Sequence, residues 1–380
     1  QNDLIVASGS GQFAADLVHR LYLGNALTKS TFPDTKAMNA SVIKEIDYDK
    51  DGDLDLFIGN NSKYNSFGKM PDCYLLNNNK GVFSVAQSKI FATIGMVTDA
   101  LVTDFNKDGN LDLIVVGEWM KPKFFANTKG NFKEVTDNLL PGNHNGLWQS
   151  IISFDIDQDG DQDYLLGNWG MNSKFKSSKE FPMKMYYDDF DTNGTFETIV
   201  AIEKKGNYYT TMGLDELVEE FSGMLKKKFN NYKSFAGKKV DEIFDVAMLE
   251  KAALFEVHNL KSGYLRNDNG KFTFVPFSNK MQIGPITSFV KFDFDGDGKE
   301  EVFAAGNYFG VTPYHSRFDG FSGALIKNQK TIYLGNQIGI DLSQKAVRHL
   351  DIIPFNGKKY LLVTVNNKKA EVYELPRNKN

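Results

Sequence analysis

Acidic residues recur along the chain at one spacing, and that spacing suits a hard cation. Five loops share it: Asp47 (DYDKDGDLDLFIG), Asp104 (DFNKDGNLDLIVVG), Asp155 (DIDQDGDQDYLLG), Asp189 (DFDTNGTFETIVA) and Asp293 (DFDGDGKEEVFAAG). Each has Asp at position 1, Asp or Asn at 3 and 5, Gly at 6, and Asp or Glu at 9. Calcium takes roughly six to eight oxygens in a flexible shell, whereas magnesium holds to a stricter octahedron and keeps its waters. Side-chain oxygens at 1, 3, 5 and 9, with the backbone carbonyl of 7, can supply such a shell. The expected ligands are therefore Asp47, Asp49, Asp51, Asp53 and Asp55 in the first loop, and Asp104, Asn106, Asp108, Asn110 and Asp112 in the second. The third loop offers Asp155, Asp157, Asp159, Asp161 and Asp163, the fourth Asp189, Asp191, Asn193, Thr195 and Glu197. The fifth offers Asp293, Asp295, Asp297, Lys299 and Glu301, which makes about five calcium ions. Eighteen carboxylates stand at positions 1, 3, 5 and 9, and without a cation each cluster repels itself. Asn106 and Asn193 lower the charge of two shells, which should bind more weakly.

An EF-hand would need Glu at position 12 and flanking helices. Position 12 is instead Ile58, Val115, Leu166, Val200 or Ala304, within short apolar runs rich in β-formers. Gly at 6 is expected to allow a sharp turn where a Cβ would clash.

First ligands at 47, 104, 155 and 293 are separated by 57, 51 and 138 residues. Between Met212 and about Phe235, Leu214, Leu217, Val218, Phe221 and Leu225 fall at helical spacing. With a helical insertion at about 212–240 removed, the long interval becomes two repeats, one without its loop. The Asp189 loop is out of phase and should join two strands inside one repeat. Hairpins YLLNNNKGVF (74–83), FFANTKGNF (124–132) and YLRNDNGKF (264–272) carry the Asn and Gly of tight turns.

A period near 50 of strands and turns predicts an all-β, seven-bladed β-propeller with calcium-binding loops and one short helical insertion. Blades are expected around Asp3, Asp55, Asp112, Asp163, Phe255, Glu301 and Tyr360. Residues 1–380 then form a single domain that begins mid-repeat, a fragment of a larger protein. Val347–Val365 reads as an inner strand, a degenerate loop and a second strand.

The loop motif resembles the FG-GAP/VCBS repeats of integrin-α-like propellers. The run from NWGMNSKFKSSKEFPMKMYYDDFDTNG to RFDGFSGALI is similar to the C-terminal part of large bacterial VCBS-repeat surface proteins of the ASPIC/UnbV type. That resemblance implies a calcium-bound propeller at a bacterial surface and leaves the ligand open.

Net charge is −4, which gives no nucleic-acid signature, and no apolar run is long enough to span a membrane. One cysteine, Cys73, permits no internal disulfide. Calcium loops fit an extracellular or cell-surface, outer-envelope setting, with a lipid anchor conceivable in a region upstream. Loops at the far end from the calcium loops are rich in aromatics and amides: Gly59-Asn60-Asn61, Gly117-Glu118-Trp119, Gly167-Asn168-Trp169 and Gly306-Asn307-Tyr308-Phe309. Trp119, His144, Trp148, Trp169, Tyr308 and Arg348 are the expected ligand-binding residues, beside Gln149 and Gln282. They suit a glycan or a protein partner; the alternative is that they plug the space between blades. The reading is a surface recognition or assembly module and not an enzyme. Two alternatives stay open, a lyase-like polysaccharide-degrading propeller or a purely structural scaffold. For catalysis only His144, Tyr314, His315 and Arg317 offer themselves, and no spacing ties them together.

Overall fold

A computed structural model describes residues 3–9, 17–24, 28–30, 32–33, 38–64, 66–312 and 315–375. Tyr314 lies outside the described residues. The described residues form seven antiparallel sheets. The first contains Leu4–Val6, Arg20–Leu23 and Thr28–Ser30. The second is Met38–Ile46, Asp55–Lys63, Tyr74–Asn79 and Val82–Ala86, paired in chain order. The third is Met96–Thr103, Asp112–Met120, Lys123–Thr128 and Asn131–Glu134, with Gly146–Leu147 added beside the second strand.

The fourth sheet is split. Ser150–Ser153 and Tyr164–Gly167 pair with Gly263–Asn267 and Phe272–Pro276, with Tyr164 opposite Leu265. The interval between them holds a separate sheet of Met183–Asp188, Glu197–Lys204, Asn207–Thr210 and Ala253–Val257. It also holds five short helices, Leu214–Glu220, Ser222–Lys228, Tyr232–Phe235, Val240–Ile243 and Val246–Lys251. Sheets of Ile286–Phe292, Glu301–Gly306, Ala324–Ile326 and Ile332–Leu334, and of Val347–Phe355, Lys358–Val365 and Glu371–Glu374, complete the chain. Val347 pairs with Val365 as the sequence predicts, around a hairpin with positive φ at Asn356 and Gly357.

Side-chain hydroxyls show which sheet follows which. Ser41 Oγ donates to the Val97 carbonyl at 2.6 Å and Thr98 Oγ1 to the Trp148 carbonyl at 2.8 Å. Ser150 Oγ donates to the Ile286 carbonyl at 3.0 Å and Thr287 Oγ1 to the Val347 carbonyl at 2.7 Å. Three of these bonds reach the first strand of the next sheet and the Thr98 bond reaches Trp148 just ahead of it, and three of the donor strands carry a bulge at or beside the hydroxyl residue. The third of these bonds passes directly from the fourth sheet to the strand at Ile286. The sheet of Met183–Val257 is therefore an insertion outside the succession, and six of the seven sheets follow one another. Core clusters agree, because buried residues are shared between consecutive sheets along this path.

Two expectations are corrected by this topology. The unit counted around Phe255 belongs to the inserted sheet, where Phe255 pairs with Met185. The long interval contains no blade that lost its loop: without residues 168–262 the spacing from Asp155 to Asp293 falls from 138 to 43 residues. The Asp189 loop does join two paired strands, those of the inserted sheet. The predicted stripe Leu214, Leu217, Phe221 and Leu225 is buried, on the same cluster as Phe190, Ile199 and Ala201. Its helix is broken at Phe221, whose backbone leaves helical geometry. Among the described residues the last sheet pairs with no other, and no sheet closes on itself.

Glycines at the ends of the second strands let backbones meet. A Cβ on Gly167 would lie 2.0 Å from the Ile286 carbonyl oxygen, and one on Gly306 would lie 1.8 Å from that of Pro285. At loop position 6 the reason differs. Gly160 has φ +95°, and a Cβ there would meet nothing within 4 Å, so the constraint is its own backbone and not a neighbour. Gly167→Ala should therefore destabilise by about 3 kcal/mol, because two backbones must part. Gly160→Ala should cost only about 1–2 kcal/mol. Urea denaturation of both variants checks the ranking, and the reverse order would refute it.

Candidate metal centres and the opposite strand ends

Four acidic loops each gather three carboxylates with ligand oxygens within 4.8 Å of one another: Asp47/Asp49/Asp55, Asp155/Asp157/Asp163, Asp189/Asp191/Glu197 and Asp293/Asp295/Asp297. These clusters could hold a metal ion. Two of them carry an oxygen buried from solvent with no hydrogen-bond donor, Asp47 Oδ1 and Asp157 Oδ1. A buried carboxylate oxygen without a donor is costly, and a cation would satisfy it. The Asp104 loop brings no such triad together. Asn106 replaces the acid at position 3, and its Oδ1 accepts the Asp108 N–H at 2.9 Å.

The loops are built by their own backbone. Position 5 accepts the N–H of position 7 in all five: Asp51 from Asp53, Asp108 from Asn110, Asp159 from Asp161, Asn193 from Thr195 and Asp297 from Lys299. Positions 4 and 6 are left-handed throughout, as at Gln158 (φ 65°) and Gly160. Side chains at position 7 turn elsewhere: Asp53 accepts the Lys80 N–H, and Asp161 meets Lys107 Nζ at 2.5 Å. In the fifth loop Lys327 pairs with Asp295 and lies 3.6 Å from Glu301, so an ammonium already shares that cluster.

Position 9 joins loop to sheet. Asp55, Asp112 and Asp163 are fully buried. Each accepts the N–H of loop position 2 (Tyr48, Phe105, Ile156) and, at 2.7 Å, the N–H of a hairpin asparagine (Asn78, Asn127, Asn267). The asparagine side chain returns the bond. Its Nδ2 donates to the carbonyl of position 8, and its Oδ1 accepts the N–H of the turn glycine, as in Asn127 to Leu111 and Gly130 to Asn127. Asn78 and Asn267 repeat both contacts. The loop and the downstream hairpin, two separate signatures in the sequence, are thus one clamp. Burial pushes Asp55, Asp112 and Asp163 up to about 6, and their neighbouring acids add to the rise. Glu197 and Glu301 are raised for the same reason, and accept from Phe190 and Phe294.

The other ends of the strands carry the predicted ligand residues, and the structure divides them. Trp148 is fully buried between the third and fourth sheets, edge-on to Phe274, its Nε1 bonded to the His144 carbonyl at 3.1 Å. Trp119 is 6% exposed in the seam between the third sheet and the inserted one. Both fill the core and are not open stacking platforms. The amides of Asn60, Asn168 and Asn307 are also buried and bond backbone groups, such as Asp72, Asn259 and Phe321, so they clamp loops and do not face a ligand. Gln282 likewise bonds Ser262. His144 Nε2 meets the Pro141 carbonyl; His315 lies against Phe175, and Arg317 over Phe309.

Trp169, Tyr308 and Arg348 do come together, from the fourth and the last two sheets. Trp169 and Tyr308 have centroids 5.2 Å apart, and the Arg348 guanidinium lies 5.4 Å from the Tyr308 ring. Phe175 and Phe318 pack around Trp169. Beside them Glu118, from the third sheet, accepts Gln149 Nε2 at 2.9 Å and Asn61 Nδ2 at 3.4 Å. Burial raises its carboxyl, and those two amides and the Trp169 indole oppose the rise. This cluster joins residues of five sheets around one carboxylate.

Sequence reasoning missed Ser41, Thr98, Ser150 and Thr287, although a signal was present: each stands five or six residues before a loop's first Asp. Six residues before Asp189 stands Met183, which has no hydroxyl and lies in the inserted sheet.

The FG-GAP-like repeat family matches residues 47–115 and 104–166, which span the first three loops. Residues 47–166 are thus similar to FG-GAP-like repeats, and the sheets are antiparallel throughout. No curated protein matches it. Among solved structures it is similar to BBS1N in complex with ARL6DN, at 9% identity and a TM-score of 0.35 over 95% of this chain and 85% of that one. It is also similar to the Vibrio cholerae biofilm matrix protein Bap1, at 11% identity and a TM-score of 0.34 over 100% and 84%. A lectin of Agrocybe aegerita that recognises non-reducing terminal N-acetylglucosamine matches at 15% identity and 0.32, over 95% and 88%. Similarities this remote carry no functional argument. No helix among the described residues is long and apolar enough to cross a membrane.

The two kinds of tryptophan should separate on substitution. Trp148→Ala should cost about 3–5 kcal/mol, as for a large core side chain, whereas Trp169→Ala, half-buried at the strand ends, should cost clearly less. Thermal melts check this, and equal losses would place Trp169 in the core as well.

Proposed function

We propose that the chain is a calcium-stabilised recognition module that works outside the cell, at the cell surface, and holds a glycan or protein partner on the strand ends opposite the acidic loops. The carrying observation is the set of four oxygen-only clusters, three of which include a buried acid at position 9 and two of which contain an orphaned oxygen. Oxygen ligands without nitrogen or sulfur favour a hard cation, and a flexible loop shell favours calcium over magnesium. Extracellular calcium would keep such sites filled, and the filled sites would serve where the single cysteine allows no internal disulfide. Resemblance to bacterial VCBS-repeat surface proteins supports the same setting. For recognition, the support is the convergence of Glu118, Trp169, Tyr308 and Arg348 from separate sheets, since binding residues sit on the loops of a rigid scaffold. Glu118 is held by two amides, an arrangement suited to positioning a ligand, and we assign the module no catalytic step.

Stripping calcium with a chelator should lower the melting temperature sharply, since each site adds about 4 kcal/mol at a thousandfold excess over Kd. An unchanged melt after verified metal removal would overturn the calcium reading. Tyr308→Ala and Arg348→Ala should keep that melt and abolish retention on a glycan array or on purified envelope proteins; retention equal to wild type would overturn the assignment of the binding face.

The pH dependence has a definite sign. In the metal-free protein Asp55, Asp112 and Asp163 titrate near 6, above their unfolded value. Their stabilising contribution is therefore full below about pH 4 and lost as pH rises through 6. Calcium needs the same groups ionised. The melting-temperature gap between calcium-loaded and metal-free protein should widen as pH rises from 5 to 7. A gap that is constant across that window would contradict the placement of these acids in the sites.

A further inference from the structure

The acidic loops differ in what reaches them from the third strand of their own sheet. Leu76 pairs with Leu56, Phe125 with Leu113, Leu265 with Tyr164 and Ile326 with Val302. The next residue along, Asn77, Ala126, Arg266 or Lys327, therefore occupies one place in four sheets, level with the acid at position 9. From that place Asn77 Nδ2 reaches the carboxylates of positions 3 and 9, Asp49 at 3.3 Å and Asp55 at 3.4 Å. Lys327 Nζ reaches the same pair in the fifth loop, bonding Asp295 and lying 3.6 Å from Glu301. Ala126 has no polar group to extend. Arg266 is turned onto Asp268 by two bonds of 3.0 Å. We propose that Lys327 is the resident cation of the fifth loop, which is therefore shaped without calcium. This inference concerns which loops take the ion, and it rests on the calcium reading above.

The state of the carboxylates supports it. In the third loop, where Arg266 points away, Asp157 at position 3 has a buried oxygen with no donor. In the fifth loop both oxygens of the corresponding Asp295 are met, one by the Asp297 N–H at 3.2 Å and the other by Lys327. Asp293 is met on both sides by backbone N–H groups, from Gly296 and Asp297 on one oxygen and Gly298 on the other. Glu301 divides in the same way between the Phe294 N–H at 2.9 Å and the ammonium. The demand that a cation would satisfy in the third loop is thus met from within the chain in the fifth.

An ammonium suits this task, being a compact charge with three donors on a long stem. It is carried by a hairpin that the sheet already holds: the Lys327 N–H donates to the Thr331 carbonyl at 3.0 Å, and Asn328 Oδ1 accepts the Thr331 N–H at 2.9 Å. Calcium bound by positions 3 and 9 would stand against a like charge bonded to the same two side chains, so the ion could enter only by expelling Lys327. Lys299 at position 7, where the first and third loops have Asp53 and Asp161, lowers the loop's negative charge further.

Hydrogen exchange read by mass spectrometry on the full chain, in chelator and in calcium, tests the assignment loop by loop. Residues 293–301 should exchange equally slowly in both, whereas residues 155–163 should slow about tenfold or more when calcium is added. Lys327→Met keeps the stem and removes the charge. It should make exchange at 293–301 calcium-dependent and raise the calcium bound in equilibrium dialysis by about one ion per chain. Asn77→Lys should do the reverse in the first loop, lowering the count by about one ion and leaving residues 47–55 protected in chelator. This second variant and the wild-type comparison decide the matter should Lys327→Met fold poorly. Calcium slowing exchange at 293–301 of the wild type as much as at 155–163, or an ion count unmoved by both substitutions, would overturn the role of Lys327 and leave the calcium reading standing. A wild-type chain that binds no calcium at all would end both.

Discussion

A buried carboxylate at the ninth position of the acidic loops is the constraint on which most of this molecule turns. Its burial raises its own proton affinity, as the shifts of Asp55, Asp112 and Asp163 to about 6 indicate. It can keep its charge only if something compensates, and two kinds of group do so. Backbone N–H groups of the loop and the hairpin supply part of the compensation, and a cation shared with positions 1 and 3 would supply the rest. Because the hairpin asparagine answers with bonds to the loop, the loop cannot shift without its sheet.

Sheets are then joined to one another at their inner strands. There a serine or threonine hydroxyl reaches the next sheet's carbonyl, and glycines keep the backbones near enough for it. This contact is steric as much as polar. Gly167 has no room for a methyl group against Ile286, so the bond from Ser150 depends on it. The acidic loops and the hydroxyl contacts thus divide the labour: the former clamp the hairpins of their own sheets, and the latter order the sheets.

The insertion breaks the symmetry that such repetition would otherwise impose. It leaves the fourth sheet after Gly167 and returns at Gly263, carrying its own acidic loop, its own sheet and a helical cover. It packs Met183, Met185 and Val257 onto Trp119 and Leu147 of the third sheet, and Tyr187 bonds Ser66 from the second. Any site that must be unique in a repetitive scaffold is most easily built at such a break.

The sequence by itself determined what is local. The acidic loops span nine residues, the hairpins about nine, and the helical stripe twelve, so all three are legible from spacing alone, because every contact that defines them falls within one turn or one hairpin. The acid at position 9 was legible as a candidate ligand, but not as the partner of Asn78, Asn127 or Asn267, which lie 15 to 104 residues away. Only the tertiary structure decided that Tyr164 pairs with Leu265 across an excursion, that Phe255 lies outside the succession, and that Trp148 is fully buried while Trp169 is partly buried. Strand pairing across a hundred residues leaves no periodic trace, since either partner would satisfy the same apolar pattern. An aromatic at a strand end reads the same in sequence whether a neighbouring sheet covers it or water does.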